Sequence, residues 1–502
     1  MASIVMKDPP AAMKGDLFPA FHKVFSFLAV LAVVLIVLEF LLARKGMHDP
    51  DIWWHLRNAE YLFQHHDLPR YDTYSFTLAG HPWMNHEWLA EIPFYLAWRA
   101  GGLLGLKTLK ILLLQAIFGG VLYLAWRESR NFKASFIACA FCSFLAQISF
   151  GPRTILFGYA YLVILLIILQ RFRQRGSAPL WLLSPLFCLW VNTHGSWLLG
   201  LICFSIVIFA GWFKLSWGRI ESQPWGAGQR KKLILAWLAS VAALFVNPFG
   251  FHLLLYPFDL AFRQKLNISH IAEWVSVDFH DWHGKLVMVL LLVLFLGALV
   301  RKRSWSATGL LLALFGLYCG LTYVRFLFLL AILVAPLLAQ ILDFLPAYKA
   351  ERDAPWLNAL AILAMAAGMF YYWPREGALQ RSLAEQYPVR AVAFLKEHPP
   401  QGRLLAFYPW GGYLEWNDHD VPVFIDGRVD IFEYEGIFQE YIDLLGVDRS
   451  KGVLDKYKIR YMLFPPDQPL SYVLERNPEW KTLYRDGVSV LLEHTGGQTG
   501  GD

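Results

Sequence analysis

The residues best suited to chemistry are concentrated in one decapeptide, His48-Asp49-Pro50-Asp51-Ile52-Trp53-Trp54-His55-Leu56-Arg57. Two carboxylates stand two residues apart, with a proline restricting the backbone between them. Such a pair can share a divalent ion such as Mg or Mn through oxygen ligands. Alternatively, one of them can take the proton of a hydroxyl as a general base. His55 and Arg57 add donors suited to phosphate. The paired indoles of Trp53 and Trp54 can stack on a sugar face or anchor a loop among lipid headgroups. The same residues also read as an acidic cap opening a helix at Ile52.

A second group of polar residues is scattered along the chain and includes His86, Glu87, Arg153, Asn192, His194, Asn247, Glu273, Trp274 and Arg325. Arg153 and Arg325 are candidates to hold phosphate, or else snorkel to headgroups. Glu273-Trp274 can meet a sugar with a carboxylate and a ring. His86, Glu87 and His194 are candidate substrate contacts, and His194 reads equally as a turn histidine bonded to backbone. Asn192 and Asn247-Pro248 read as helix stops. Asp426-Gly427-Arg428 follows a predicted strand, where α/β sheets place ligand loops, or forms a local pair holding a turn. The histidines do not have the spacing of a helical zinc site.

The elements that position these residues follow from composition. Of 502 residues, 57% are hydrophobic and 17% charged, against about 45–50% and about 25% in soluble domains. The apolar residues form eleven blocks near 24–43, 106–126, 134–150, 154–170, 180–193, 196–213, 233–247, 285–300, 306–320, 326–345 and 355–373. A spanning helix needs about 20 such residues. The expected class is a polytopic α-helical membrane protein of about 11 spans, with a C-terminal soluble α/β domain. The membrane domain covers 1–375, with external loops at 44–105 and 248–284, the tail domain covers 376–495, and 496–502 is a disordered end. Within the first loop, Asn85 to Trp98 reads as an interfacial amphipathic helix.

The net charge of +6 does not indicate nucleic acid, because the basic residues cluster between apolar blocks. Placing the N-terminus in the cytoplasm puts 18 Lys and Arg in the inner segments and 4 in the shorter outer connections. That asymmetry sets orientation, although Arg44-Lys45 opposes it. Every polar residue named above then falls on the outer side. All five cysteines lie in apolar blocks, so no disulfide framework holds the tail, and Cys139 and Cys142 read as small packing residues. The tail has neither GxGxxG nor GxxxxGK[ST]. Its predicted strands are Arg403–Phe407, Val421–Ile425, Ile459–Phe464, Trp480–Tyr484 and Val488–Leu492, with helices over Pro388–His398 and Phe432–Leu445.

The segment DPDIWWHLRNAEYL, directly after the first span, resembles the first external loop of the GT-C membrane glycosyltransferases. Its D-x-W-W-H-L-R, Asp51 to Arg57, is similar to the D-P-x-Y-H-x-R loop of oligosaccharyltransferase catalytic subunits. PRYDTYSFTLAGHPWMNHEWL, WVNTHGSWLLG, NPFGFHLL, IAEWVS and FIDGR resemble a broad bacterial group of such proteins. The resemblance implies that Asp51 is the metal ligand or the catalytic base, with Asp49 the weaker match. No second D-x-D follows, leaving Glu87 or Glu273 as stand-ins. The sequon-reading WWDYG-type motif is also missing from the tail, which points to single-sugar transfer, as in protein mannosyltransferase and lipid-A-modifying relatives.

The expected function is sugar transfer from a polyprenyl-phosphate donor to an acceptor lipid, glycan or protein, at the outer face of a bacterial inner membrane. A transporter or flippase places its ionisable groups near the midplane, often in repeated halves, and neither feature is present here. A non-catalytic membrane scaffold is the third reading, distinguished by its indifference to Asp51→Asn.

Overall fold

The computed structural model describes residues 21, 24–44 and 49–496. His48, most of the N-terminal segment and the end at 497–502 lie outside the described residues. Each of the eleven apolar blocks contains a helix. Among the described residues, five helical stretches are long and apolar enough to cross a membrane: Trp88–Ser129, Phe132–Ser149, Ile155–Arg175, Trp282–Val300 and Val324–Phe344. Pro355–Tyr371 and Glu376–Ala384, bent by 53°, make a sixth if they count as one span. The expected count of eleven exceeds these. Leu183–Val191 has only 9 residues, about 14 Å of helix, because Asn192 caps it and donates to the carbonyls of Cys188 and Val246 at 2.8 and 2.9 Å.

Leu327–Ile341 is the axis of the bundle and is almost wholly buried, packed between Phe132–Ala146, Ala307–Thr322 and the long helix Trp88–Ser129. Trp282–Val300 instead leaves Leu292, Phe295, Leu296 and Leu299 exposed, and Pro355–Tyr371 leaves Leu357, Leu360, Leu363 and Phe370 exposed. Faces of this kind match hydrocarbon.

The two ends of the bundle differ in charge. At one end the basic connections meet: Arg127 donates to Gln174 at 2.7 Å, Arg173 to Ser306 at 2.9 Å and to Glu128, and Arg301 and Arg303 to Asp343. The other end carries the first long loop and the tail. Helix Asp51–His65 opens behind Pro50, with the Asp49 side chain accepting the Asp51 N–H at 3.0 Å, and closes at His66 in a left-handed conformation. The expected interfacial helix is continuous with the second span. Trp88–Ser129 is broken only at Gly101 and Gly102, where Gly102 has φ +54° and ψ −136°. Phe94, Tyr95, Leu103 and Leu106 share a core with Leu379, Ala391, Val392 and Leu395 of the tail, while Leu96 beside them is exposed.

The tail sheet orders its strands Arg403–Ala406, Ile459–Phe464, Val490–His494 and Trp480–Arg485, with the first pair parallel and the others antiparallel. Helix Val389–Glu397 is as expected. Val421–Ile425 is not a strand of this sheet. Val423 exchanges backbone hydrogen bonds with Tyr74 and Phe76, each at 3.0 Å, and so pairs with the first loop. The expected helix Phe432–Leu445 is two helices, Val429–Tyr434 and Ile437–Leu445, separated at Gly436 with φ +75°. The second loop is tied down as well, since both oxygens of Glu433 accept the backbone N–H groups of Leu266 and Asn267 at 2.8 Å.

Candidate functional site

Asp49 and Asp51 stand at the head of the loop helix, and the turn Gly151–Thr154 between two spans brings Arg153 to them. Asp49 is buried: its Oδ2 accepts from Arg153 Nε, while its Oδ1 caps the helix. Asp51 is only half-buried. Its Oδ1 accepts the indole N–H of Trp54 at 3.2 Å. Burial and the Asp49 charge raise its carboxyl to about 7, against the opposing pull of Arg153, His55 and the Trp54 N–H. A carboxyl poised there is suited to general-base work near neutrality.

The second long loop adds Glu273 and Trp274, carried on one turn of 3₁₀ helix, and Arg325 stands at the start of the apolar stretch Val324–Phe344, just after the helix Ala307–Thr322. Arg153 Nη1 donates to Glu273 Oε1. The Arg325 guanidinium lies 4.2 Å from the centre of the Trp274 indole, a cation–π contact that holds it in place. The Val324 N–H donates to the Val275 carbonyl at 2.9 Å, locking the two segments together. Arg153, Glu273, Trp274, Arg325 and Asp51 are all half-buried and form the rim of the site. Glu273 and Trp274 thus support the arginines, with the carboxylate in an ion pair and one ring face covered.

Beneath this rim three imidazoles converge on Glu87. Their Nε2 atoms lie 3.5 Å (His55), 3.7 Å (His86) and 3.4 Å (His194) from its carboxylate, and Thr154 donates to it at 2.8 Å. Burial would raise the Glu87 carboxyl, but the histidines and Thr154 outweigh it and hold it down at about 2. Burial keeps His86 below its usual range and takes His194 to about 4. In His55 burial is outweighed by Glu91 and Glu87, which raise it. His55 is therefore the one of the three that takes up a proton most readily. His194 also accepts the Ser196 N–H at 2.9 Å, the turn role anticipated for it, while remaining beside Glu87.

Three expected site residues have other roles. Trp53 is fully buried, with edge contacts to Trp98, Tyr387 and Tyr413, and is core because its face of the loop helix meets the tail. Arg57 pairs with Glu60 at 2.6 Å, one turn along, and lies 5.9 Å from the Tyr74 ring centre. His55 has Nδ1 on Glu91 at 3.0 Å and Nε2 toward Glu87, so neither nitrogen is open to phosphate. Trp54 is also buried and reaches the site through its hydrogen bond to Asp51.

The tail roofs the site. A Cβ on Gly427 would lie 2.1 Å from Asp51 Oδ1, and one on Gly412 3.2 Å from the Trp54 nitrogen; bare backbone is what lets the roof come this close. Arg428, buried, donates to Asp72 at 2.6 Å and to Asp426 at 2.5 and 2.9 Å. Asp430 is raised to about 7, chiefly by burial. Asp430, Tyr256, which stacks on His86 at 3.9 Å, and Glu91 with Asn58 and Asn85 were not anticipated. The only sequence signal for them was their place in or beside FIDGR, NPFGFHLL, HPWMNHE and DPDIWWHLRNAEYL.

Among the described residues, no group of three His, Cys, Asp or Glu side chains is arranged to hold a metal ion. The donor chemistry explains this: Asp49 and Glu273 both face the Arg153 guanidinium, and Glu87 is enclosed by imidazoles and Thr154. The residues present do not fit a divalent ion at Asp51.

No protein-family model matches this chain, and no curated protein matches it. Among solved structures it is similar to the oligosaccharyltransferase of Archaeoglobus fulgidus tethered with an acceptor peptide containing the NVT sequon. The TM-score is 0.54 at 14% identity, over 88% of this chain and 70% of that one. The same enzyme in complex with Zn and sulfate aligns at a TM-score of 0.48 and 10% identity, over 87% and 67%. The first of these likenesses is one of fold, and it extends across both the helical bundle and the tail. This chain therefore shares the GT-C fold of that oligosaccharyltransferase, as the loop after its first span implied.

Proposed function

We propose that the protein is a membrane glycosyltransferase that moves a single sugar from a polyprenyl-phosphate donor to an acceptor lipid, glycan or protein. On this reading the N-terminus is cytoplasmic and the tail lies on the periplasmic side of a bacterial inner membrane. The observation that carries the reading is the half-buried Asp51 carboxyl, poised near 7 beside Arg153, at the loop-and-tail end of a GT-C fold.

The acceptor hydroxyl oxygen attacks the anomeric carbon, and the bond from that carbon to the phosphate oxygen breaks with inversion. Asp51 receives the hydroxyl proton. The leaving polyprenyl phosphate gains negative charge beside Arg153 and Arg325, fixed cations of the kind that stabilise developing charge most effectively. The neighbouring Asp49 orients Arg153 and raises Asp51, and the tail covers the reacting groups and meets the acceptor.

The test is release of polyprenyl phosphate by the purified protein across a panel of polyprenyl-phosphate sugars. Wild type is expected to turn over one of them, and Asp51→Asn to lose on the order of 10²-fold or more, the scale of a general base. Equal turnover by both proteins would remove Asp51 from the mechanism.

A further inference from the structure

Asp49 and Glu273 come from loops more than two hundred residues apart and converge on one guanidinium. Arg153 Nε donates to Asp49 Oδ2, and Nη1 to Glu273 Oε1. Carboxylates converging from separate loops are the ordinary ligands of a hard divalent cation, which also needs room for several further oxygens, commonly water. Here that room is closed. Asp49 is 1% exposed, and its second oxygen takes the Asp51 N–H at 3.0 Å. Gly151 closes the pair from the side, since even a Cβ there would lie 3.0 Å from Asp49 Oδ2 and 3.4 Å from Arg153 Nε.

Resting on the glycosyl-transfer reading above, we propose that Arg153 is a built-in replacement for a divalent ion. Its guanidinium occupies the place between the carboxylates and itself presents positive charge to the leaving phosphate, so the reaction proceeds without metal. The residue type suits the role. A guanidinium stays charged at every working pH and carries five donors in a plane. With Nε and Nη1 directed at carboxylates, its Nη2 donors remain for phosphate oxygens, and the side chain is 25% exposed toward the rim. Asp49 and Glu273 act as positioning residues for it.

The test uses the full-length protein in detergent, stripped with EDTA, in two measurements. In the first, Mn²⁺ is titrated in and followed by electron paramagnetic resonance. Wild type is expected to leave the aquo-ion signal undiminished at equimolar Mn²⁺. Stoichiometric binding by wild type that is lost in Asp49→Asn would overturn the proposal. In the second, turnover of wild type in EDTA is expected within about twofold of its value in Mg²⁺, and Arg153→Ala to fall on the order of 10²-fold. Loss of wild-type turnover in EDTA with recovery on adding Mg²⁺ would overturn it too. If Arg153→Ala does not fold, both wild-type measurements still decide. A wild type that turns over no donor under either condition counts against glycosyl transfer, while the Mn²⁺ titration still judges the cation.

Discussion

Asp51 receives opposing influences from its neighbours, and their balance sets its working range. Burial and Asp49 push its carboxyl up, while Arg153, His55 and the Trp54 indole pull it down. A base acts only when deprotonated, so turnover should fall as pH drops, with the acid limb of the pH–rate profile centred near 7. Trp54→Phe keeps the ring but removes the 3.2 Å hydrogen bond that favours the ionised form. The acid limb should then move up by about 0.7 pH unit, the equivalent of one ordinary hydrogen bond of about 1 kcal/mol. An unchanged limb would show that Trp54 only packs. The adjacent Trp53 should behave differently, costing stability when truncated and leaving the pH profile in place.

Two glycines decide how the elements fit. Gly427 brings the tail backbone against Asp51, and a methyl group there would collide with the carboxylate oxygen at 2.1 Å. Gly427→Ala is expected to abolish most turnover and to lower the thermal midpoint only in part, because the methyl also lies 2.8 Å from the indole nitrogen of the buried Trp54. Measuring both on the same preparation separates a displaced base from a misfolded tail. Gly102 is the converse case. It holds φ +54° and ψ −136° at the break in Trp88–Ser129, with open space around its absent Cβ apart from Glu376 Oε1 at 3.6 Å. Gly102→Ala should destabilise by about 1–3 kcal/mol through backbone strain, visible as a lower melting temperature, while pairwise contacts at the site survive.

At the scale of the molecule, the tail and the first loop are a single unit. Leu404, Trp410 and Tyr413 share a core with Ile52, Trp53 and Phe94, and Phe424 and Ile425 share another with Trp54 and Trp83. Arg428 links Asp72 of the loop to Asp426 of the tail and lies 4.8 Å from the ring centres of both Tyr74 and Trp83. Removing one member of a buried charged network strands the others, at a cost of about 3–5 kcal/mol. Arg428→Ala should therefore loosen the tail from the loop, seen as rapid release of a C-terminal fragment under limited proteolysis, with loss of turnover. Resistance equal to wild type would mean that the shared apolar cores suffice.

The chain's composition determined its membrane character, because blocks of apolar residues that length have no other stable solvent. The helical bundle, the α/β tail and the loop after the first span were likewise legible, since period, turn residues and a short motif are local properties. Tertiary structure decided the rest. That Trp53 is core and Trp54 serves Asp51 depends on which face of one helix the tail covers, and adjacent helical residues face about 100° apart. Val421–Ile425 has a strand's composition, yet its hydrogen bonds go to the loop at Tyr74 and Phe76. The convergence of three histidines on Glu87, and of Asp49 and Glu273 on Arg153, joins residues of several loops. Only the packing of the spans beneath those loops brings them together.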